Sequence, residues 1–241
     1  MTKGLRIAIL CGGYGKRLLP YTEDIPKPMV PLNGKPILEH ILQLYKGKGF
    51  DDFILCVGYK GDKIREFIAS RPDFGNIIFS DAGQDASMLR RITALRDEFN
   101  DRILISYGDT LTDLDIDDFM RFHINSNGAA TIVAASIQSP FGLVNFNPDG
   151  LATSYEEKPF LNYYIGHIIL EKRGLDLIDD EMILAPDGIG LVNFLKKLMV
   201  QKELYIYHYK GHQITFNSHQ ERTDAEKMLS SFYTLEENVD R

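Results

Sequence analysis

The chain has 241 residues and a formal net charge of −7. That length suits one α/β domain or one domain with a small extension, and the charge argues against a nucleic-acid partner, which would need a basic patch. Hydrophobic residues make up 44% and charged residues 25%, an ordinary globular balance with enough apolar material for a substantial core. No apolar stretch reaches membrane-spanning length, and nothing at the N-terminus reads as a signal peptide. No membrane partner and a cytoplasmic location are therefore expected.

Residues 7–11 form an apolar run that reads as a buried strand. Gly12, Gly13 and Gly15 follow as a turn, and then Arg17 and Lys27 sit in a loop punctuated by Pro20, Pro26 and Pro28. Glycines let backbone N–H groups approach anionic oxygens closely. Arg17 offers a planar fork for phosphate and Lys27 a movable point charge, while the prolines restrict the loop around Lys27. A strand followed by an ordinary surface loop would explain the glycines alone; the cations placed after them favour polyphosphate. Two other phosphate motifs fail. Gly15-Lys16 is followed by Arg17 where a P-loop needs Ser or Thr. Leu18 stands where the dinucleotide fingerprint needs its third glycine.

Apolar spacing over 36–49 predicts a helix, ended by Gly47 and Gly49. Residues 53–57 read as a strand, 63–69 as a short helix, 77–79 as a strand, 90–99 as a helix and 103–106 as a strand. Strands alternating with helices imply βαβ units and a mostly parallel sheet, with ligands at the C-terminal ends of its strands. The glycine turn and Asp109 would then share one edge. Residues 115–123 read as a helix and 131–137 as a strand. Residues 143–146 and 151–155 flank Asn147-Pro148-Asp149-Gly150 and read as a hairpin. A strand over 163–170, helical segments over 174–178 and 191–200, strands over 204–209 and 214–216 and a closing helix over 220–233 complete the chain. The second half reads as an antiparallel addition to the same sheet rather than a separate domain. Tyr205, Tyr207 and Tyr209 alternate as one strand face, for packing or an oligomer contact. Cys11 and Cys56 lie in apolar runs and read as buried thiols rather than a disulfide or metal pair. The six histidines show no zinc-ligand spacing, and His208 and His212 read as structural.

Asp109 follows the 103–106 strand directly. Two readings compete: a carboxylate placed to hold Mg²⁺, which prefers oxygen ligands and keeps several waters, and an N-cap for a following helix. Asp113 and Asp115 read as solvated or capping residues. Glu156-Glu157-Lys158-Pro159 reads as a charged strand end.

The opening stretch resembles the signature of the sugar-phosphate nucleotidyltransferases, roughly GGxGxRLxPxTxxxPKP. Gly12, Gly13, Gly15, Arg17, Leu18, Pro20, Thr22, Pro26, Lys27 and Pro28 carry it, with Lys16 where the family usually has Thr or a small residue. The run from Tyr107 to Ile116 and the Phe141-Gly142-Leu143 element resemble the glucose-1-phosphate cytidylyltransferase branch. The resemblance spans nearly the whole chain. It implies a Rossmann-like (GT-A-like), mostly parallel sheet flanked by helices, with an antiparallel extension in the C-terminal half. It also implies one domain over 1–241, divided near residue 128 into a nucleotide half and a sugar-phosphate half, and transfer of a nucleotidyl group from an NTP to a sugar 1-phosphate with release of pyrophosphate.

Carried over by position, the resemblance assigns Leu10, Gly12, Gly13, Gly15 and Arg17 to the nucleotide, with Arg17 on the leaving pyrophosphate. Lys27 would neutralise the α-phosphate and border the sugar phosphate. Glu157 would meet sugar hydroxyls and Lys158 the attacking phosphate. Asp109 would hold Mg²⁺. Three departures stand out. Tyr164 replaces an Asn of the sugar-binding strand. Asn217 falls where a second metal-binding Asp is common. Residues 86–91 replace a Thr-Gly-Gly-Arg segment near the nucleobase, which leaves the base open. Cytidylyl transfer to a hexose 1-phosphate is the first expectation. A guanylyl or thymidylyl transferase acting on a heptose or another phosphorylated acceptor is the second. A catalytically weak regulatory homologue that binds nucleotide sugars is the third; Tyr164 and Asn217 favour it, and the joint presence of Arg17, Lys27, Asp109, Glu157 and Lys158 argues against it.

Overall fold

The computed structural model describes residues 4–239. Strand β1 (Ile7–Leu10) leads through three 3-10 turns, Lys16–Leu18, Tyr21–Glu23 and Lys27–Met29, into a short ribbon of β2 (Pro31–Leu32) and β3 (Lys35–Pro36). Then follow α1 (Ile37–Gly47), β4 (Asp52–Val57), α2 (Gly61–Ala69), β5 (Asn76–Asp81), α3 (Met88–Thr93) and β6 (Arg102–Tyr107). The second half runs β7 (Thr110–Thr112), α4 (Ile116–Ser126), β8 (Ala130–Gln138), β9 (Leu143–Phe146), β10 (Ala152–Glu156) and β11 (Phe160–Glu171). It closes with α5 (Asp180–Leu184), α6 (Ile189–Val200), β12 (Leu204–Tyr209), β13 (Gln213–Thr215) and α7 (His219–Val239).

One seven-stranded sheet, in the order β12-β8-β11-β6-β1-β4-β5, takes strands from both halves. β5, β4, β1 and β6 are parallel, as βαβ alternation requires. β11 runs antiparallel to both β6 and β8, while β12 is parallel to β8. Within this sheet the antiparallel character of the second half thus rests on one long strand. The β9–β10 hairpin stands outside as its own two-stranded ribbon, as does the β13–β7 pair.

Alternation along β1 feeds two cores. Ile7 and Ile9 face α1, α4 and α7 through Leu38, Ile41, Phe119 and Leu229. Ala8 faces α3 and α6 through Leu89, Ile92 and Phe194. Cys11 and Cys56 are buried free thiols at the ends of adjacent strands, and burial pushes Cys56 up to about 12. Tyr207 packs against the Phe119 and Phe122 rings and Tyr209 is buried, so packing accounts for two of the three alternating tyrosines.

Four local readings are corrected. The helix expected over 90–99 ends at Thr93. The Thr93 hydroxyl donates to the Arg90 carbonyl at 2.9 Å, and the chain continues in i to i−3 turns such as Arg96 N to Thr93 O. Asp109 precedes β7 rather than a helix, so its capping reading falls. Residues 174–178 belong to the 3-10 segment Lys172–Leu177. Unforeseen α5 is capped by Asp179, whose carboxylate accepts from Met182 N at 3.0 Å. Asp115 does cap α4, accepting from Asp118 N at 2.8 Å.

Candidate active site

The carboxyl ends of β1 and β6 lie side by side, Leu10 opposite Tyr107. Just beyond, Gly108 N donates to Leu10 O at 3.1 Å. A Cβ at Gly108 would stand 2.8 Å from that oxygen, so only glycine lets the end of β6 draw this close. Asp109, the next residue, is thereby set beside the turn of Gly12, Gly13 and Gly15. Gly15 itself takes a left-handed φ of 62° as the chain bends into its first 3-10 turn.

The proline-rich loop returns Lys27 to the same place. Lys27 is 8% exposed. Its ammonium donates to the Asp109 carboxylate and, at 3.1 Å, to Asn217 Oδ1. It also lies 5.6 Å from the centre of the Phe216 ring. The β13–β7 ladder, with Thr215 opposite Thr110, brings Asn217 into reach from 190 residues away. Asn217 is held in turn by its own N–H, which donates to Glu221 Oε2 at 2.6 Å. Three of the predicted residues, Lys27, Asp109 and Asn217, thus form one hydrogen-bonded cluster drawn from three distant parts of the chain.

The other predicted residues surround or stand off from this cluster. Leu10 and Gly15 are half-buried, Gly12 is buried and Gly13 is exposed. Arg17 is exposed in the turn Lys16–Leu18, outside the cluster. Glu157 and Lys158 lie exposed between β10 and β11. The Tyr155 hydroxyl donates to the Glu157 carboxylate, and Lys158 takes a positive φ of 46°. Tyr164 packs edge to face on Tyr107 at 5.7 Å. Burial pushes both phenols up, Tyr107 to about 12.

Chemically, the cluster is a screened cation flanked by a carboxylate and an amide oxygen at the edge of a parallel sheet. Among the described residues no group of three or more His, Cys, Asp or Glu side chains could cage a metal. One carboxylate and one amide oxygen nonetheless fit Mg²⁺, which keeps waters and takes substrate phosphates as its remaining ligands.

The family model described as "Nucleotidyl transferase" matches residues 7–230. The chain belongs to this family. Two relatives bear the name of a glucose-1-phosphate cytidylyltransferase. The "Probable glucose-1-phosphate cytidylyltransferase" of Bacillus subtilis is 30% identical over 93% of this chain and 96% of its own length. The glucose-1-phosphate cytidylyltransferase of Salmonella typhimurium is 32% identical over 73% of this chain and 79% of its own. Other relatives bear the names of a uridylyltransferase and a guanyltransferase. Among solved structures, HddC from Yersinia pseudotuberculosis complexed with GMP-PN superposes with a TM-score of 0.69 at 20% identity, covering 93% of this chain and 99% of that one. The chain is a nucleotidyl transferase of the sugar-1-phosphate type, with the shared fold.

Sequence reasoning passed over Glu221 and named Arg91 only within the segment 86–91, with no role of its own. Glu221, which fixes Asn217, carries no signal beyond an acidic first helical turn. Arg91 carried one: it falls on the apolar stripe of residues 88, 92 and 95, where a charge must be buried.

Proposed function

We propose that this nucleotidyl transferase moves a cytidylyl group from CTP to a hexose 1-phosphate, releasing pyrophosphate, and that it requires Mg²⁺. The observation that carries this reading is Lys27, held between Asp109 and Asn217 beside the glycine turn. A phosphate oxygen of the sugar phosphate attacks the α-phosphorus in line; the bond from that phosphorus to the bridging β-oxygen breaks, and pyrophosphate leaves with the electron pair. Such chemistry asks for positioning and charge neutralisation more than for covalent help. Lys27 neutralises the α-phosphate, Arg17 clamps the leaving pyrophosphate, Lys158 holds the attacking phosphate and Glu157 takes sugar hydroxyls. Asp109 and Asn217 would hold the Mg²⁺, whose contribution when bound is to neutralise phosphate charge. Backbone groups of residues 10–13 meet the nucleotide. Metabolic NTP supply fits a cytoplasmic location.

The cytidylyl choice rests on the two cytidylyltransferase relatives. Residues 86–91 lack the glycines of the usual base-side segment, which leaves the base open; guanylyl or thymidylyl transfer, to a heptose or another phosphorylated acceptor, is the second reading, and the relatives include a guanyltransferase. The uncharged Asn217 supports a third, a weak homologue acting as a regulator. The test is pyrophosphate release with Mg²⁺, each of CTP, UTP, GTP, ATP and dTTP being set against a panel of sugar 1-phosphates. Release with CTP and a hexose 1-phosphate is expected. Release only with another pair selects the second reading. Silence from folded protein that binds a nucleotide selects the third.

A further inference from the structure

Arg91 lies on the buried stripe of α3 between Leu89 and Ile92 and is 4% exposed. Its guanidinium donates to three main-chain carbonyls: Val57 at the end of β4, Gly12 in the glycine turn at 3.1 Å, and Gln84 at 3.2 Å. Among the described residues no carboxylate reaches it as an ion pair; Asp81 and Asp187 act on it only through space. The fit is close, because a side chain at either Gly12 or Gly58 would run into the guanidinium. A buried cation without a carboxylate partner is a poor way to gain stability. Its place, directly under the phosphate-binding turn, suggests another use.

The Gly12 carbonyl is held from two sides. Tyr59 N donates to it at 3.1 Å and the Arg91 Nη2 at 3.1 Å. In a trans peptide the carbonyl and the next N–H point in opposite directions. With the Gly12 oxygen drawn inward to Arg91, the Gly13 N–H is turned outward. Gly13 is exposed, and among the described residues its N–H has no acceptor.

We propose that Arg91 is a positioning residue for the nucleoside triphosphate: it locks the Gly12–Gly13 peptide so that the Gly13 N–H faces the bound nucleotide, and it sets a fixed positive charge beneath that anion. The inference rests on the nucleotidyl-transfer reading. It assigns Arg91 to the NTP and leaves the sugar phosphate to other residues. The three partners also require a fork of donors, which Lys cannot supply.

The experiment uses the full chain and the variants Arg91→Met, Arg91→Gln and Arg91→Lys. Equilibrium binding of each NTP is measured first on the unaltered protein, then on each variant, beside Tm and the KM values for both substrates. Arg91→Met should fold with a lowered Tm, since it leaves the Val57, Gly12 and Gln84 carbonyls short of a donor. Its Kd and KM for the NTP should rise about tenfold to a hundredfold, while KM for the sugar 1-phosphate stays within about twofold. Arg91→Gln, which keeps donors without charge, should recover part of the NTP affinity. A purely structural Arg91 would lower Tm in the same way but leave NTP binding by the folded protein unchanged, and that result overturns the proposal. Should Arg91→Met fail to fold, Arg91→Gln and Arg91→Lys decide alone, by the presence or absence of an NTP-specific rise in Kd. If the unaltered protein binds none of the five NTPs, the transfer reading and this inference fall together. If it binds one and the folded variants bind it equally well, only the inference falls.

Discussion

Lys27 is the residue on which the proposed chemistry turns. It is nearly buried, yet its ammonium is met by the Asp109 carboxylate and the Asn217 amide oxygen, so its charge is stored and not stranded. Lys27→Ala should lower turnover by about 10²–10³-fold, the range seen when one preorganised donor to a developing charge is removed. Far-UV circular dichroism should be unchanged, which separates lost chemistry from lost fold. Asn217 is the neutral partner of the pair. Asn217→Asp places a second carboxylate beside Lys27 and should lower the Mg²⁺ concentration giving half-maximal rate several-fold, because ligand charge strengthens binding of a hard cation. A Mg²⁺ titration of pyrophosphate release reads this, and an unmoved midpoint would remove Asn217 from the metal's surroundings.

At the scale of elements, the site depends on how two strand ends and one ladder are placed. Gly108→Ala would force a methyl against Leu10 O, 2.8 Å away, and push the end of β6 off β1. A loss of about 1–3 kcal/mol is expected, read as a drop in Tm, together with lost activity because Asp109 moves with the strand end. Asp115→Ala removes the α4 cap and should cost about 1 kcal/mol, with turnover unaltered. Much of this arrangement was legible in the sequence. Gly12, Gly13 and Gly15 announced the turn at the end of β1, and Gly108-Asp109 after an apolar run announced the second strand end. The turn at 147–150 announced its hairpin. What stayed hidden depended on contacts far along the chain or on very short elements. β7 is three residues long and, among the described residues, pairs with β13 alone, a partner about a hundred residues away. α5 is five residues long and carries no buried residue, so it has no apolar stripe to betray it. The early end of α3 turns on one hydroxyl, that of Thr93, taking a helix carbonyl.

The whole molecule joins its two halves through β11, and His167 lies on that strand where it meets β6, opposite Ser106. It is buried, with Nδ1 against the Ile165 carbonyl at 3.2 Å and Nε2 3.4 Å from both Ser106 Oγ and Thr112 Oγ1. Burial holds its imidazole down at about 4, and His40 and His123 are lowered by burial as well. The folded chain keeps His167 neutral where the unfolded chain takes up a proton. Stability is therefore fully present above about pH 6.5 and falls as pH drops toward 4, by about 3 kcal/mol from His167 alone. Urea midpoints between pH 7.5 and 4.5 should show the decline, and His167→Gln should flatten part of it. Among the described residues no helix is long and apolar enough to cross a membrane. The most direct measurement is product formation from CTP and glucose 1-phosphate with Mg²⁺, the parent run beside Lys27→Ala. Expected are equal amounts of CDP-sugar and pyrophosphate from the parent and a rate at least about a hundredfold lower from the variant. A folded Lys27→Ala protein as active as the parent, or a parent that releases no pyrophosphate with any NTP and sugar 1-phosphate, would contradict the assignment of this cluster as the reaction centre.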